Sequence, residues 1–293
     1  MPEGLKFVLP FSFTDTSLPK LRPDALINDG SLFLIDFGRE ETAPRASVPA
    51  NGSALANLAW QSAAAVIGSG NESTLAGTFE NSLSGLPLEG LVERSSRYGI
   101  HVISSQVAQT AGNRHGGVSV PNTIISHVLA NLPGHAFYVS VWGRLTRVAT
   151  SAPDSIGYLG DVSNSTRFAW RFDTQPTQAP NSGSAFVGSY SDPNSNVAGY
   201  FHRAVAVDEF TGTEPLIGSA TAKFWFGKQG VYSGFQTNIA ASGILYRIYI
   251  EDLTASGRSW AETLAADQAL YAAAIGSGGR FNGDTFTNPS TLP

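Results

Sequence analysis

Two groups of acidic residues are the best candidates for acid–base chemistry in this sequence. A retaining glycoside hydrolase needs two carboxylates about 5–5.5 Å apart, as nucleophile and acid, and an E-x-D-x-x-E array can supply them. Residues 209–214 begin and end with glutamate, but Thr211 stands where the array needs its aspartate. Glu251 and Asp252 are neighbours on a predicted strand, so they point to opposite faces. We expect Asp252 to accept a hydrogen bond from the backbone or from Arg258, and we expect no catalytic residue.

The histidines and serines show no catalytic or metal-binding spacing. No H-x-H or H-E-x-x-H pattern places two imidazoles on one face, and neither a G-x-S-x-G elbow nor a phosphate-binding G-x-x-x-x-G-K-[ST] pattern occurs. Residues 192–196 and 282–284 have the Asp and Asn side chains that calcium prefers, but turn formation explains both segments adequately. We therefore expect no metal and no cofactor. Ordinary hydrogen-bonded histidines are expected at His101, His115, His127, His135 and His202.

Composition argues against two classes of partner. Charged residues make up only 14% of the 293 residues, against roughly 25% in typical globular domains. The net charge is −5 and the basic residues are scattered singly, so we expect no nucleic-acid partner. No apolar stretch approaches the roughly 20 residues of a membrane helix, and the first residues do not form a signal sequence. We expect no membrane partner and folding in a cytoplasm without disulfides, because cysteine is absent.

Period-two patterning predicts a mainly β fold. The clearest strand lies in residues 136–150, where Phe137 and Val139 share one face and Tyr138 and Trp142 lie on the other. Further β segments are predicted at residues 31–37, 101–109, 118–132, 167–173, 184–190, 199–207, 220–229 and 243–252. Strands of this length and spacing indicate an antiparallel sandwich or jelly roll. The tryptophans within these strands are expected to be core residues.

Two helices interrupt the pattern. Ser259 and Glu262 form a capping-box pattern that opens an Ala-rich helix ending near Ile275. A short helix is predicted between Gly52 and Gly68, where Leu55, Leu58, Ala59 and Trp60 recur near helical spacing. Residues 68–90 are rich in Gly, Ser, Asn and Thr and are expected to be irregular. The chain divides into an N-terminal arm or attachment segment (1–50), a sandwich domain (51–275, best defined over 120–275) and an irregular tail (276–293).

Residues 120–275 resemble one structural family. The segments AFYVSVWGRLTRVAT, RFAWRFD and AKFWFGKQG, followed by YRIYIEDLTASGRSWAETLAADQALY, are similar to the laminin-G-like and concanavalin A-like jelly-roll domains of bacteriophage virion structural proteins. The most specific part is the phrase YRIYIEDL at residues 246–253, with SGR at residues 256–258. The resemblance implies a mainly β, antiparallel jelly-roll β-sandwich with one short C-terminal helix and an extended N-terminal arm.

The resemblance also implies a function. A chain of this family would be a capsid-decoration or tail- or collar-associated module, synthesised in the host cytoplasm and assembled into the virion. Its partners would be other virion proteins and further copies of the chain, with a trimer as one option. The alternative is a carbohydrate-binding adhesin or receptor-binding module on the same fold, which engages a host surface glycan. Stacking and hydrogen-bonding groups for a sugar occur around the 191–199 loop, at Tyr190, Asp192, Asn194, Asn196 and Tyr200.

Overall fold

The computed structural model describes residues 24–110, 112–151, 155–161, 168–174, 186–187, 190–191, 196–207, 209–210, 219–228 and 237–293. Within these residues the strands are β1 (Ser31–Asp36), β2 (Ala54–Leu55), β3 (Gly77–Asn81), β4 (Gly90–Arg94), β5 (Ile100–Ser104), β6 (Arg114–Ser119), β7 (Phe137–Arg147), β8 (Ser155–Asp161), β9 (Phe168–Asp173), β10 (Phe186–Val187), β11 (Tyr190–Ser191), β12 (Gly199–Val207), β13 (Glu209–Phe210), β14 (Ala220–Lys228) and β15 (Ser242–Asp252). The helices are α1 (Trp60–Ile67), α2 (Asn122–Asn131), α3 (Leu253–Ser256) and α4 (Trp260–Ile275), and Pro289–Thr291 forms a 3₁₀ turn.

Two antiparallel sheets face each other and form a β-sandwich, as the patterning predicts. In the described residues, sheet A has the strand order β11-β12-β7-β15-β5-β4, with β1 also beside β15, and sheet B has the order β2-β3-β6-β14-β8-β9. The main core lies between the sheets, where Val139 and Ile248 of sheet A meet Phe79, Val118 and Phe224 of sheet B. Removing this apolar surface from water supplies the main driving force for folding.

Strand β7 lies inside sheet A and is buried on both faces. Phe137 faces the core between the sheets, whereas Tyr138 and Trp142 belong to apolar clusters on the opposite face of sheet A. This confirms the predicted alternation along the strand. Trp142, Trp170 and Trp225 are at most 1% exposed, so the strand tryptophans are core residues, as predicted.

Helix α4 covers the outer face of sheet A. Its predicted capping box is present, because the Ser259 hydroxyl accepts a hydrogen bond from the Glu262 backbone N–H at 3.3 Å and the Glu262 carboxylate accepts one from the Ser259 backbone at 2.8 Å. Trp260 and Leu264 pack against the apolar outer face of the sheet, and the helix ends at Ile275. Neither α4 nor any other helix in the described residues has the length and apolarity needed to cross a membrane.

Residues 118–132 are largely helical, which corrects the β segment predicted there. After β6 the chain reaches Pro121, which precedes helix α2 and cannot donate to a strand ladder. Ile and Val favour strands by composition, but here the apolar residues recur at helical spacing. The residues that α2 buries are Ile124, Ile125, Val128 and Leu129.

Two segments before residue 90 also differ from prediction. Strand β3 lies within residues 68–90, where irregular structure is predicted; Phe79 is fully buried, but one large apolar residue in five is too weak a pattern to predict a strand. The short helix predicted between Gly52 and Gly68 is α1, which begins only at Trp60 because Ala54 and Leu55 pair with β3 as strand β2.

The sandwich extends beyond its predicted boundaries. Strand β1 pairs with β15 and all six of its residues are buried, so residues 24–50 belong to the sandwich; residues 1–23 of the predicted arm lie outside the described residues. The tail 276–293 is irregular, as predicted, but it is packed on the domain. Phe281 is 1% exposed, and Arg147 donates to the carbonyls of Pro289 and Leu292 at 3.0 and 2.7 Å. These contacts join residues more than 140 positions apart, which local patterning cannot predict.

Candidate functional site

The residues predicted to bind a sugar around the 191–199 loop are only partly described. Tyr190 is described by its backbone in β11, and Asp192 and Asn194 lie outside the described residues. The side chain of Asn196 accepts a hydrogen bond from the Ala149 N–H at 2.9 Å and donates one to the Ala149 carbonyl at 2.8 Å. Asn196 therefore fixes the backbone of a neighbouring segment.

Tyr200 also has partners within the fold. Its hydroxyl donates to the Phe281 carbonyl at 2.7 Å, its ring stacks on Tyr246 with 6.0 Å between centroids, and the Arg144 guanidinium lies 4.7 Å from the ring centroid. Groups of the fold thus contact both the ring and the hydroxyl. A role for this loop in sugar binding stays a prediction.

The five histidines are each hydrogen-bonded to a carboxylate, which agrees with the expectation of satisfied histidines. The ring nitrogens lie 2.7–3.2 Å from carboxylate oxygens in the pairs His101–Glu93, His115–Glu80, His127–Asp252, His135–Asp252 and His202–Asp267. Of the acidic segment 209–214, only residues 209–210 are described, as the backbone of β13.

Glu251 and Asp252 have separate structural partners. Arg258 donates to Glu251, with its Nε at 3.0 Å, and not to Asp252, which corrects that part of the sequence prediction. Asp252 instead caps α3 by accepting a hydrogen bond from the Ala255 backbone N–H at 2.9 Å. This confirms the other predicted partner of Asp252, a backbone donor. Burial acts to raise the pKa of Asp252, but hydrogen bonds, led by that from His127, hold it below its usual value.

A cavity of about 610 Å3 lies between the loop after β1, the start of α1 and the turn before β3. This volume falls within the range of small-molecule pockets. Its polar and aromatic lining residues are half-buried Trp60, Asn71, Ser73, Glu40, Glu41 and Glu72. We call this cavity the Trp60 pocket.

Buried Asn57 fixes the position of Trp60. Its Oδ1 accepts hydrogen bonds from the backbone of Leu34 and Ala59, and its Nδ2 donates to the Leu32 carbonyl, all at 2.9 Å. The chain before α1 is therefore held against β1, and the Trp60 backbone N–H bonds the Asn57 carbonyl at 3.1 Å. Trp60 is partly buried and packs against the core, so this residue of the cavity lining is anchored on a rigid element.

Asn71 is an exposed residue of the pocket lining. Its Oδ1 accepts hydrogen bonds from the backbone N–H groups of Ser73 and Thr74, both at 3.0 Å, and from the Ser73 hydroxyl at 2.8 Å. These bonds shape the turn. The Nδ2 of Asn71 has no hydrogen-bond partner among the described residues, so its two N–H donors can serve a ligand.

The charge of the pocket is negative. Glu40 of the lining lies 3.7 Å from Arg45, which is its cationic partner. Both side chains are substantially exposed, so this ion pair is weak. Glu41 and Glu72 have neither an ion pair nor a side-chain hydrogen bond within the described ranges. Two uncompensated carboxylates repel anions and can accept hydrogen bonds from neutral hydroxyl groups.

Sequence reasoning missed the Trp60 pocket for two reasons. Trp60 recurs with apolar residues at helical spacing, which predicts a core position, and Asn71 to Ser73 lie in a segment that composition marks as irregular surface. A tryptophan at the first position of a short helix, preceded by a buried asparagine, is the local signal that could have indicated it. The contact between the two segments is not encoded in any local pattern.

Comparison with known proteins shows a structural similarity to one solved domain. No protein-family model matches the chain, and no curated protein matches it. Among solved structures, the CBM22-1 xylan-binding domain of Xyn10C from Paenibacillus barcinonensis is similar with a TM-score of 0.27 and 10% sequence identity, over 70% of this chain and 97% of that domain. At this TM-score the likeness says nothing about what this chain binds.

Proposed function

We propose that this β-sandwich is a non-catalytic binding module whose Trp60 pocket takes an uncharged saccharide. The observation that carries the proposal is that Trp60 lines a cavity of about 610 Å3 together with Asn71, Glu41 and Glu72. An indole ring packs on the apolar face of a sugar, while amide and carboxylate groups exchange hydrogen bonds with its hydroxyls. The rigid support of Trp60 by Asn57 lowers the entropy that binding must offset.

Charge favours a neutral ligand over an acidic one. Glu41 and Glu72 lack cationic partners in the described structure, and an anion in the pocket would meet both of them. A neutral sugar carries hydroxyl donors for the carboxylates and hydroxyl acceptors for the Asn71 amide. Its affinity should therefore change little with salt, whereas that of a cationic ligand would fall as salt rises.

Replacing Trp60 with alanine is expected to weaken saccharide binding by about tenfold or more, because a central aromatic anchor is worth about 2 kcal/mol in binding. The measurement is calorimetric titration of neutral oligosaccharides chosen from a binding panel. Trp260→Ala is the matched control, since Trp260 is also half-buried but lies on α4, away from the pocket. Binding to no neutral oligosaccharide, or equal affinity of Trp60→Ala and the unmodified protein, would contradict the proposal.

The module is proposed to bind without hydrolysis. In the described structure, the carboxylates of Glu80, Glu93, Asp252 and Asp267 each bond a histidine, and Glu251 bonds Arg258. Incubation with a polysaccharide that it binds is expected to leave the number of reducing ends unchanged. Steady release of reducing sugar that scales with protein concentration would show an enzyme instead.

We also propose that the module is a virion structural protein, decorating a capsid or belonging to a tail or collar. The supporting observation is that the phrase at residues 246–258, on which the family resemblance most depends, forms the central strand β15 and the turn that Arg258 joins to Glu251 at 3.0 Å. A tagged chain is expected to co-sediment with phage particles and to form an oligomer in light scattering. A monomer that never accompanies particles would contradict this role.

A further inference from the structure

A second cavity, of about 480 Å3, lies beside the C-terminal end of helix α4. We call it the arginine pocket. Its lining includes Arg39, Arg247 and Arg280, the carboxylate of Asp24, and an apolar wall formed by Leu270 and Ala273. The three arginines come from the loop after β1, from β15 and from the tail, so only the folded chain brings them together.

Arg247 is the buried member of the arginine pocket. It is 1% exposed, and two of its nitrogens bond the two carboxylate oxygens of Asp24, both at 2.8 Å. One of them also lies 3.3 Å from Asp36. Its third nitrogen, Nε, is buried and has no hydrogen-bond partner in the described structure. A buried charged donor without a partner costs stability.

Arg39 and Arg280 flank the mouth of the pocket. Their side chains are 29% and 36% exposed. Arg39 makes one contact, at 3.5 Å to Asp24, and Arg280 makes one hydrogen bond, at 2.5 Å to Asp36. Each guanidinium carries five N–H donors, so most donors of both side chains stay unpaired among the described residues.

The charge of the arginine pocket is positive. Its lining carries three guanidinium groups and one carboxylate, which is an excess of two positive charges, and the buried carboxylates of Asp36 and Asp267 lie close to Arg247 outside the lining. Burial acts to raise the pKa of Asp24, but the hydrogen bonds and charge of Arg247 hold it at about 2, so Asp24 stays ionised and cannot itself become a donor. Asp267, near Arg247, is already bonded to Tyr138, Trp142 and His202.

We infer that the arginine pocket binds the carboxylate of a uronate-type sugar. A planar carboxylate matches the fork of a guanidinium, as the two-bond pairing of Arg247 with Asp24 illustrates within the same pocket. Arg39 and Arg280 would hold the carboxylate at the mouth, and the apolar wall of Leu270 and Ala273 would contact the sugar ring. This site is separate from the Trp60 pocket and has the opposite charge, so it goes beyond the proposed function.

The test titrates the full chain carrying Trp60→Ala, which removes the aromatic anchor of the Trp60 pocket, with glucuronate and galacturonate. Binding is followed by calorimetry or NMR, with glucose, galactose, acetate and sulfate as comparison ligands. In this Trp60→Ala background, uronates are expected to bind much more tightly than the neutral sugars. Arg39→Gln and Arg280→Gln should each weaken uronate binding by about tenfold or more, because each removes a charge-assisted hydrogen bond. Arg97→Gln, at an exposed arginine away from the pocket, should leave binding unchanged.

Three results would overturn the inference. One is glucose or galactose binding as tightly as the uronates, and another is unchanged uronate binding in both Arg39→Gln and Arg280→Gln. The third is sulfate or acetate binding as tightly as the uronates, which would show an anion site without sugar recognition. Thermal unfolding of both variants ensures that a loss of binding is not a loss of folding. Because the comparison is made in the Trp60→Ala background, failure here leaves the proposed function untouched.

Discussion

Replacing Asp267 with alanine is expected to destabilise the fold by about 3–5 kcal/mol, because it removes the shared acceptor of several buried donors. Asp267 lies on α4, and its side chain is fully buried. It accepts hydrogen bonds from the Tyr138 hydroxyl at 2.8 Å, the Trp142 indole at 3.0 Å and the His202 ring at 2.9 Å. All three donors lie on the outer face of sheet A, so Asp267 joins helix to sheet.

Urea denaturation at neutral pH measures this loss as a fall in the free energy of unfolding. Gln61→Ala provides the control, since Gln61 lies on helix α1 and is exposed; its effect should stay within about 0.5 kcal/mol. A loss below about 1 kcal/mol for Asp267→Ala would show that water or repacking replaces the carboxylate.

Acid should weaken the unmodified protein through the same carboxylate. Burial acts to raise the pKa of Asp267, but the hydrogen bond and charge of His202 hold it below the usual value. A carboxyl with a lowered pKa in the folded state contributes stability above its unfolded pKa and loses it as the pH falls through the folded pKa. The gap between the unmodified protein and Asp267→Ala should therefore narrow in acid.

Replacing Arg247 with methionine is expected to cost about 3–5 kcal/mol at neutral pH, because it leaves Asp24 and Asp36 as buried carboxylates without their central cation. Arg247 bonds both of them, and its guanidinium lies 4.7 Å from the Trp142 ring centroid. Methionine fills similar space, so the effect reports charge more than volume. Arg280 and Arg39 remain in the variant, but each bonds only one carboxylate oxygen, of Asp36 and of Asp24 respectively.

The pH dependence distinguishes this explanation from a packing defect. In the unmodified protein the pKa of Asp24 is about 2, so its contribution is present above the ordinary value near 3.8 and is lost as the pH falls towards 2. Without Arg247, burial is expected to raise the pKa of Asp24 above its ordinary value. Protonation of Asp24 would then remove the cost of a buried, unpaired carboxylate from the variant. The stability gap between Arg247→Met and the unmodified protein should narrow between pH 7 and about pH 4. A gap that does not change with pH would indicate lost packing, and Arg97→Met is the exposed control.

Long strands and the capped helix could be predicted from the sequence. Residues 199–207, 220–229 and 243–252 match β12, β14 and β15 within one residue at each end, because turn-forming residues bound them and their side chains alternate between two buried faces. Helix α4 begins at its predicted capping box because that motif is local. Helix α2 escaped prediction since its β-branched residues give a strand-like composition in a helical register.

The candidate sites could not be predicted because they depend on distant pairs. Asp24 and Arg247 are 223 positions apart, and Asp36 and Arg280 are 244 apart. A buried asparagine such as Asn57, which positions Trp60, looks in the sequence like any loop residue. Local patterning specifies which elements form, whereas the pockets arise where three separate elements meet.

Indole NMR signals give the most direct test of the central claim that Trp60 contacts a saccharide. The chain has five tryptophans, and a protein labelled with ¹⁵N-tryptophan gives one indole signal for each ring. Trp142, Trp170 and Trp225 are buried. Titration with a neutral oligosaccharide is expected to shift, in a saturable way, the signal that Trp60→Phe deletes, while the Trp260 signal stays in place. A saturable shift of another indole with the Trp60 signal unchanged, or no shift with any neutral oligosaccharide, would contradict the account.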